Sequence, residues 1–414
     1  MCQSRIFDIA FSPQDPFTLA TAAEDCTLIW SAEPGAPPQP KTKLETSCAM
    51  RCAWHGAGKH LLTGSTEGVV SVWTVDDGTK LASLSCAAVT DDRDEGAEIY
   101  GINFLDGNNL LAVGCSDTVQ QWDLPHARLT CHTQLAAYEK GLNYGGANRN
   151  PTGRAYVFSI AARGRCLAAA MSDGTVRLLD SQTCREITVL DEHAQRGAAA
   201  FACALSPTMP ILATTAADGA VLLYDLRAYG HGPLADLRGH TQPVHGVCFA
   251  AAGALGADAD ANGELLVTGG ADRSLRFHET RTNTCVCAVR SSGPVLCTAF
   301  GSGIDAAAPT NGARVAAAGG SGQCGKDNSL SIFSAQPPAA DADEAATGTA
   351  ADKATGTAAD KATEAAADKA TEAADDKAPA AEADAEEGGD ETARKDAAVR
   401  GETAVREEAP ADVE

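Results

Sequence analysis

Aromatic residues make up only 5 % of this 414-residue chain, and no stretch reaches the ~20 apolar residues that a membrane-spanning helix needs. No charged leader followed by a hydrophobic run opens the sequence, so an intracellular protein, cytoplasmic or nuclear, is expected. Clustered positive charge is also missing. The formal net charge is −23, and no Lys/Arg-rich stripe interrupts it. Affinity for nucleic acids comes largely from basic side chains replacing counterions on phosphates, so direct binding to nucleic acid or to an anionic membrane is disfavoured. The 15 cysteines include no CxxC pair; Cys285 and Cys287 form the one CxC. An odd number scattered through apolar runs argues against a disulfide framework, and no four-ligand cluster points to zinc. Buried thiols acting as small hydrophobes are expected.

Catalytic signatures are equally thin. The segment GGSGQCGK resembles a phosphate loop only superficially, because Lys326 is followed by Asp327 instead of Ser or Thr and no helix follows. Among the nine histidines, His55, His126, His132 and His231 fall near turns with no motif around them. No nucleophile with an orienting base emerges, so no catalytic residue, cofactor or metal ligand is assigned, and a hydrolase is a remote alternative.

What the chain does contain is one sentence written seven times. An apolar strand leads to a second strand ending in small residues, then to an acidic turn, then to a closing strand. The closing positions are Trp30, Trp73, Trp122, Leu179, Tyr224, His278 and Phe333, spaced 43, 49, 57, 45, 54 and 55 residues apart. The clearest copies are ILATTAADGAVLLYDLR (211–227) and LLVTGGADRSLRFHETR (265–281). Such a unit cannot bury its own apolar face and must stack on its neighbours. Four short strands need about 40–45 residues, so the surplus belongs to loops. These are the Gly-, Ala-, Asn- and Pro-rich connections after Leu135, Phe249, Phe300 and Gly319, which are also the expected contact elements for partners. No amphipathic helix competes with the strands, and the chain reads as all-β.

This frame resembles the WD40-repeat (transducin-β-like) propellers, over residues 5–334. The most complete Gly-His is Gly239-His240, followed by Thr268, Asp272 and His278; an earlier copy offers His193, Thr214, Asp218 and Tyr224. The resemblance implies that His, Ser/Thr, Asp and Trp form a buried hydrogen-bond relay tying the strands of a blade together. No Gly-His precedes the first four copies, and Leu179 and Phe333 cannot donate a side-chain hydrogen bond, so those blades are expected to rely on apolar packing alone. The implied architecture is a seven-bladed β-propeller over residues 1–334. Only four residues precede the first inner strand, too few to supply a closing strand. Either FSAQPPAAD turns back to do so, or the last blade lacks its outer strand, or the N-terminus is incomplete, which is the expectation favoured here.

Residues 335–414 hold 22 acidic and 8 basic residues, a net −14 that leaves −9 for residues 1–334. Eight-residue units begin at Asp352, Asp360 and Asp368. Acids recur there every four residues, which opposes helix, and nothing larger than Ala is available to bury. A disordered acidic spacer is expected, with recruitment of a basic partner as the sharper alternative.

A non-catalytic scaffold that presents loops to other proteins, monomeric by itself, is the functional reading. One narrower alternative stands out. Residues 211–227 resemble the box by which many WD-repeat proteins dock on the damaged-DNA-binding adaptor of cullin–RING ubiquitin ligases, departing from it only at Ala213. The resemblance implies that Asp225 and Arg227 contact that partner, with Glu279 and Arg281 in the weaker copy, which departs at His278 and Thr280. Arginine suits such a role because its planar fork makes paired hydrogen bonds. The plainer reading is that Arg227 pairs with an acid at the edge of its own blade.

Overall fold

The computed structural model describes residues 5–33, 37–87, 97–105, 109–137, 155–250, 264–301, 314–319 and 329–334. The chain divides into two compact units, residues 1–342 and 343–414, and the second lies wholly outside the described residues. So do the acidic tail and most of the long connections expected to contact partners.

Antiparallel strands in chain order build the first unit. The first sheet contains β1 (Ile6–Phe11), β2 (Thr18–Ala23), β3 (Thr27–Ser31) and β4 (Gln39–Leu44). The second contains β5 (Ala49–Trp54), β6 (His60–Ser65), β7 (Val69–Thr74) and β8 (Lys80–Ser85). The third runs β9 (Ile99–Phe104), β10 (Leu110–Cys115), β11 (Thr118–Asp123) and β12 (Arg128–Gln134). In the fourth are β13 (Val157–Arg163), β14 (Cys166–Met171), β15 (Val176–Asp180) and β16 (Glu186–Leu190). A four-residue helix, Glu192–Gln195, then leads into β17 (Ala200–Leu205), β18 (Ile211–Ala216), β19 (Val221–Asp225) and β20 (Ala235–Leu237). The sixth sheet has β21 (Val244–Ala250), β22 (Leu265–Gly270), β23 (Ser274–Glu279) and β24 (Thr284–Arg290). Three strands complete the series, β25 (Cys297–Gly301), β26 (Arg314–Gly319) and β27 (Ser329–Ser334).

The first strand of each sheet contacts the first strand of the next, and β25 contacts both β21 and β1. The sheets therefore stand as blades around a common axis. Apolar clusters fill the space between neighbouring blades. Leu62, Val70 and Val72 of the second meet Ile99, Leu111 and Trp122 of the third, and Ala168 and Leu178 of the fourth meet Cys203, Leu212 and Tyr224 of the fifth. This geometry explains the small residues of each second strand. β2 (TLATAA) and β18 (ILATTA) are buried at every position, because a neighbouring blade covers both faces. Outer strands face solvent and are largely exposed, as in β8 and β24.

Two expectations are corrected. The fold is an all-β propeller, but six blades are complete, not seven; the last sheet has three strands among the described residues. In each complete blade the outer strand follows the closing strand. The corresponding stretch after Ser334 lies outside the described residues, and its sequence AQPPAAD holds two prolines that cannot donate to a ladder. Nor do the early blades rely on apolar packing alone. Trp30 Nε1 donates to Thr21 Oγ1 and Trp73 Nε1 to Thr63 Oγ1, both at 2.9 Å, while Trp122 Nε1 donates to Gln120 Oε1 at 3.0 Å. A buried indole N–H needs an acceptor whether or not a Gly-His precedes the blade. In the fourth blade Arg177 takes over, bonding Thr175 Oγ1 at 3.0 Å, Glu186 Oε2 at 2.9 Å and Ala136 O at 2.8 Å.

Candidate functional site

The inner strands of the six complete blades share one irregularity. Their pairing with the second strand skips one residue: Ile6 pairs with Ala23 and Asp8 with Ala22, Ala49 with Ser65 and Arg51 with Gly64, and Ile99 with Cys115 and Gly101 with Gly114. The same step occurs between Val157 and Ser159, Ala200 and Ala202, and Val244 and Gly246. The skipped residues are Phe7, Met50, Tyr100, Phe158, Phe201 and His245. A bulge of this kind re-aims a side chain out of the pleat. Together with Leu296, just before β25, these six side chains line one cavity of about 230 Å³ at the mouth of the central channel. All seven are half-buried.

Four of them form a continuous aromatic arc. Tyr100 meets Phe158 edge-on at 5.8 Å, Phe158 lies 5.8 Å from Phe201, and Phe201 lies 4.5 Å from His245 at an interplanar angle of 31°. Arg5 stands 6.0 Å from the Phe7 ring. Arg51 crosses beneath the arc. Its Nε donates to Tyr100 O at 2.5 Å, Nη2 to Phe158 O at 3.0 Å and Nη1 to Phe7 O at 3.4 Å, with Asp8 Oδ1 3.8 Å away. One guanidinium thus ties together the first four blades, and its hydrogen bonds are to carbonyls. Burial holds the His245 imidazole below its ordinary range, and the Arg51 charge adds to that, so the ring presents a neutral, apolar face rimmed by two arginines. Burial also lifts the Asp8 carboxyl above the usual range, and Arg51 opposes the shift. Deeper in the channel a more polar cavity of about 210 Å³ is lined by Asp8, Arg51, Ser159 and Thr298 among others.

The residues singled out in the sequence lie elsewhere. In the sixth blade His240 Nδ1 meets Asp272 Oδ2 at 3.0 Å and Nε2 meets Thr268 Oγ1 at 2.9 Å, while His278 Nε2 lies 3.4 Å from the same hydroxyl. In the fifth, His193 Nε2 reaches Thr214 Oγ1 at 2.8 Å, but its Nδ1 has no hydrogen-bond partner among the described residues. Asp218 caps Ala220 N at 3.0 Å, and the Tyr224 hydroxyl donates to Glu192 Oε2 at 2.8 Å instead of to Thr214. Burial holds His193 and His278 down at about 4. Arg227 is engaged by its own blade: Nε and Nη2 donate to Asp225 at 3.0 and 2.7 Å, and the backbone N of Arg227 adds a third bond at 2.9 Å. That pairing holds the Asp225 carboxyl at about 2. Glu279 accepts from Thr282 at 2.7 Å, and Arg281 lies exposed in the turn beyond β23.

The structure does not bring Asp225 or Arg227 to the channel mouth, and the arc was missed in the sequence. Its signal was present: each inner strand begins with a buried residue followed by a bulky one, in IF, AM, IY, VF, AF and VH. Among the described residues no group of three or more His, Cys, Asp or Glu side chains could hold a metal, and no helix is long and apolar enough to cross a membrane.

A family model, the WD domain or G-beta repeat, matches residues 40–74 and 232–279. These segments run from β4 through β7, and from just before β20 through β23, which includes Gly239-His240. A search of curated proteins found no match. The repeated strand frame, the stacking of four-stranded sheets around one axis and the two matched repeats identify this chain as a member of the WD40-repeat β-propeller family.

Proposed function

We propose that this chain, like WD40 propellers generally, mediates protein–protein interactions, as a non-catalytic module whose recognition face is the bulge-built ring at the channel mouth. One observation carries the reading. Six blades independently skip a residue at the same place, and each skipped side chain turns onto the same cavity. Half-buried aromatics beside arginines are the residue types that dominate the energy of protein interfaces. The complementary partner is an apolar protein segment with carboxylate or carbonyl acceptors near its end, facing Arg5 and Arg51. The test is affinity capture with the parent chain and with a Phe158→Ser/Phe201→Ser variant that unfolds at the same temperature. Partners that depend on the ring drop out with the variant; an unchanged set of partners overturns the proposal.

Docking on a ubiquitin-ligase adaptor is the narrower second reading. It is supported by the Arg227 side chain, 74 % exposed and pre-oriented by Asp225. An Arg227→Ala/Arg281→Ala variant should lose the adaptor and keep ring-dependent partners. Retention of the adaptor, or its absence from the parent capture, removes this reading.

A further inference from the structure

Cys131 and Cys184 belong to adjacent blades, 53 residues apart in sequence, yet their sulfurs face each other at 2.6 Å. Cys131 lies on β12, the outer strand of the third blade, and is half-buried. Cys184 occupies the β15–β16 turn of the fourth and is 1 % exposed. Both thiols point at one acceptor, Gln121 Oε1, at 3.0 and 3.7 Å.

The backbone fixes Cys184 from two sides. Its N donates to Asp180 O at 2.8 Å, and Thr133 Oγ1, on the same strand as Cys131, donates to its carbonyl at 2.5 Å. Cys184 has φ +55°, a left-handed conformation. The matching turns of the second and sixth blades place Gly78 (φ +71°) and Asn283 (φ +56°) there, residues that tolerate it. A cysteine at such a position is conformationally disfavoured, and its sulfur meets that of Cys131 across the blade boundary.

We propose that Cys131 and Cys184 form a redox-responsive covalent staple between the third and fourth blades, closed by a peroxide-class oxidant. The more accessible sulfur reacts first. The Cys131 thiolate attacks one oxygen of hydrogen peroxide, the O–O bond breaks, and Cys131 becomes a sulfenic acid while hydroxide leaves and takes up a proton as water. The Cys184 sulfur then attacks the Cys131 sulfur, the S–O bond breaks, and the Cys184 proton departs with the oxygen as a second water. Two thiols and one peroxide give one disulfide and two waters, with two electrons passing from sulfur to oxygen. Burial and the neighbouring Cys131 push the Cys184 thiol well up, so it is not the sulfur that reacts with the oxidant first. The closed bond encloses residues 132–183 in a loop and should raise the unfolding temperature, since it limits the unfolded chain.

Peptide mapping of the full-length protein tests this. The chain is treated with hydrogen peroxide, its remaining thiols are alkylated in denaturant, and it is digested without reductant; oxidation of the exposed Cys285 and Cys287 shows that the oxidant acted. The expected product is a linked pair of peptides carrying Cys131 and Cys184, separated by dithiothreitol, with an unfolding temperature several degrees above that of the reduced protein. With Cys184→Ser the linked pair should vanish and Cys131 should be trapped as a sulfenic acid by dimedone. Complete alkylation of both cysteines after oxidation, or linkage of Cys131 to any other cysteine in the parent, overturns the proposal.

Discussion

His193 and His278 are each 1 % exposed, and His193 Nδ1 has no hydrogen-bond partner among the described residues. Burial lowers both to about 4; at His193 the Asp218 and Asp236 carboxylates oppose the shift, and at His278 the His240 and Arg276 charges add to it. An unfolded histidine titrates near 6.5, so between about 6.5 and 4 the unfolded chain binds more protons than the folded one. The stability these groups contribute is complete above that window and is lost as pH falls through it. At pH 5 the loss should be about 2 kcal/mol for each histidine. Thermal unfolding followed from pH 7 to 5 should show the midpoint falling, and His193→Gln should flatten the fall. A midpoint independent of pH over that range would contradict the assignment. Thiols behave in the opposite sense: burial pushes Cys115, Cys203 and Cys248 up to about 12, so they remain neutral small hydrophobes, as their apolar surroundings in the sequence implied.

At the scale of the strand, most of the architecture was legible because it is periodic. Apolar runs bounded by turn residues marked the strands, and the recurring bulky closer marked the third strand of each blade. Polar partners were harder to foresee. Thr63 and Thr21 look like ordinary strand residues until a tryptophan on the next strand is seen to donate to them, and the loss of Gly-His said nothing about that bond. The bulges themselves were not legible, because a skipped residue is defined by the register of two strands; the recurring bulky second residue of each inner strand marked only the positions where they fall. Yet the register makes a sharp prediction. Deleting Phe158 removes the extra residue of β13 and leaves Val157 opposite Met171 and Ser159 opposite Ala170 as consecutive pairs of a regular ladder. That deletion should keep the protection of β13–β15 amides in hydrogen exchange, as Phe158→Ser should. Protection lost on deletion alone would show that the bulge itself is needed to hold the register.

For the propeller as a whole, Arg51 is a side chain that spans four blades. Its guanidinium leaves β5 and reaches carbonyls of Phe7, Tyr100 and Phe158, so replacing it orphans acceptors on three other blades at once. Arg51→Met, similar in length and uncharged, should destabilise the propeller by about 2–4 kcal/mol, measured as a lowered denaturant midpoint with an unchanged slope. A midpoint equal to the parent's would show that these bonds add nothing net. The apolar clusters between blades and this polar brace in the channel leave one surface where bulky side chains from every blade converge without being fully covered. That surface is the basis of the proposed function. It is best probed with a benzophenone side chain placed once at Phe201 in the ring and once at Ile187, an exposed position on the outer strand β16. On illumination with a partner-containing extract, the ring position should cross-link a discrete protein and the β16 position should not. Cross-linking from position 187 with none from position 201 would contradict the channel-mouth site.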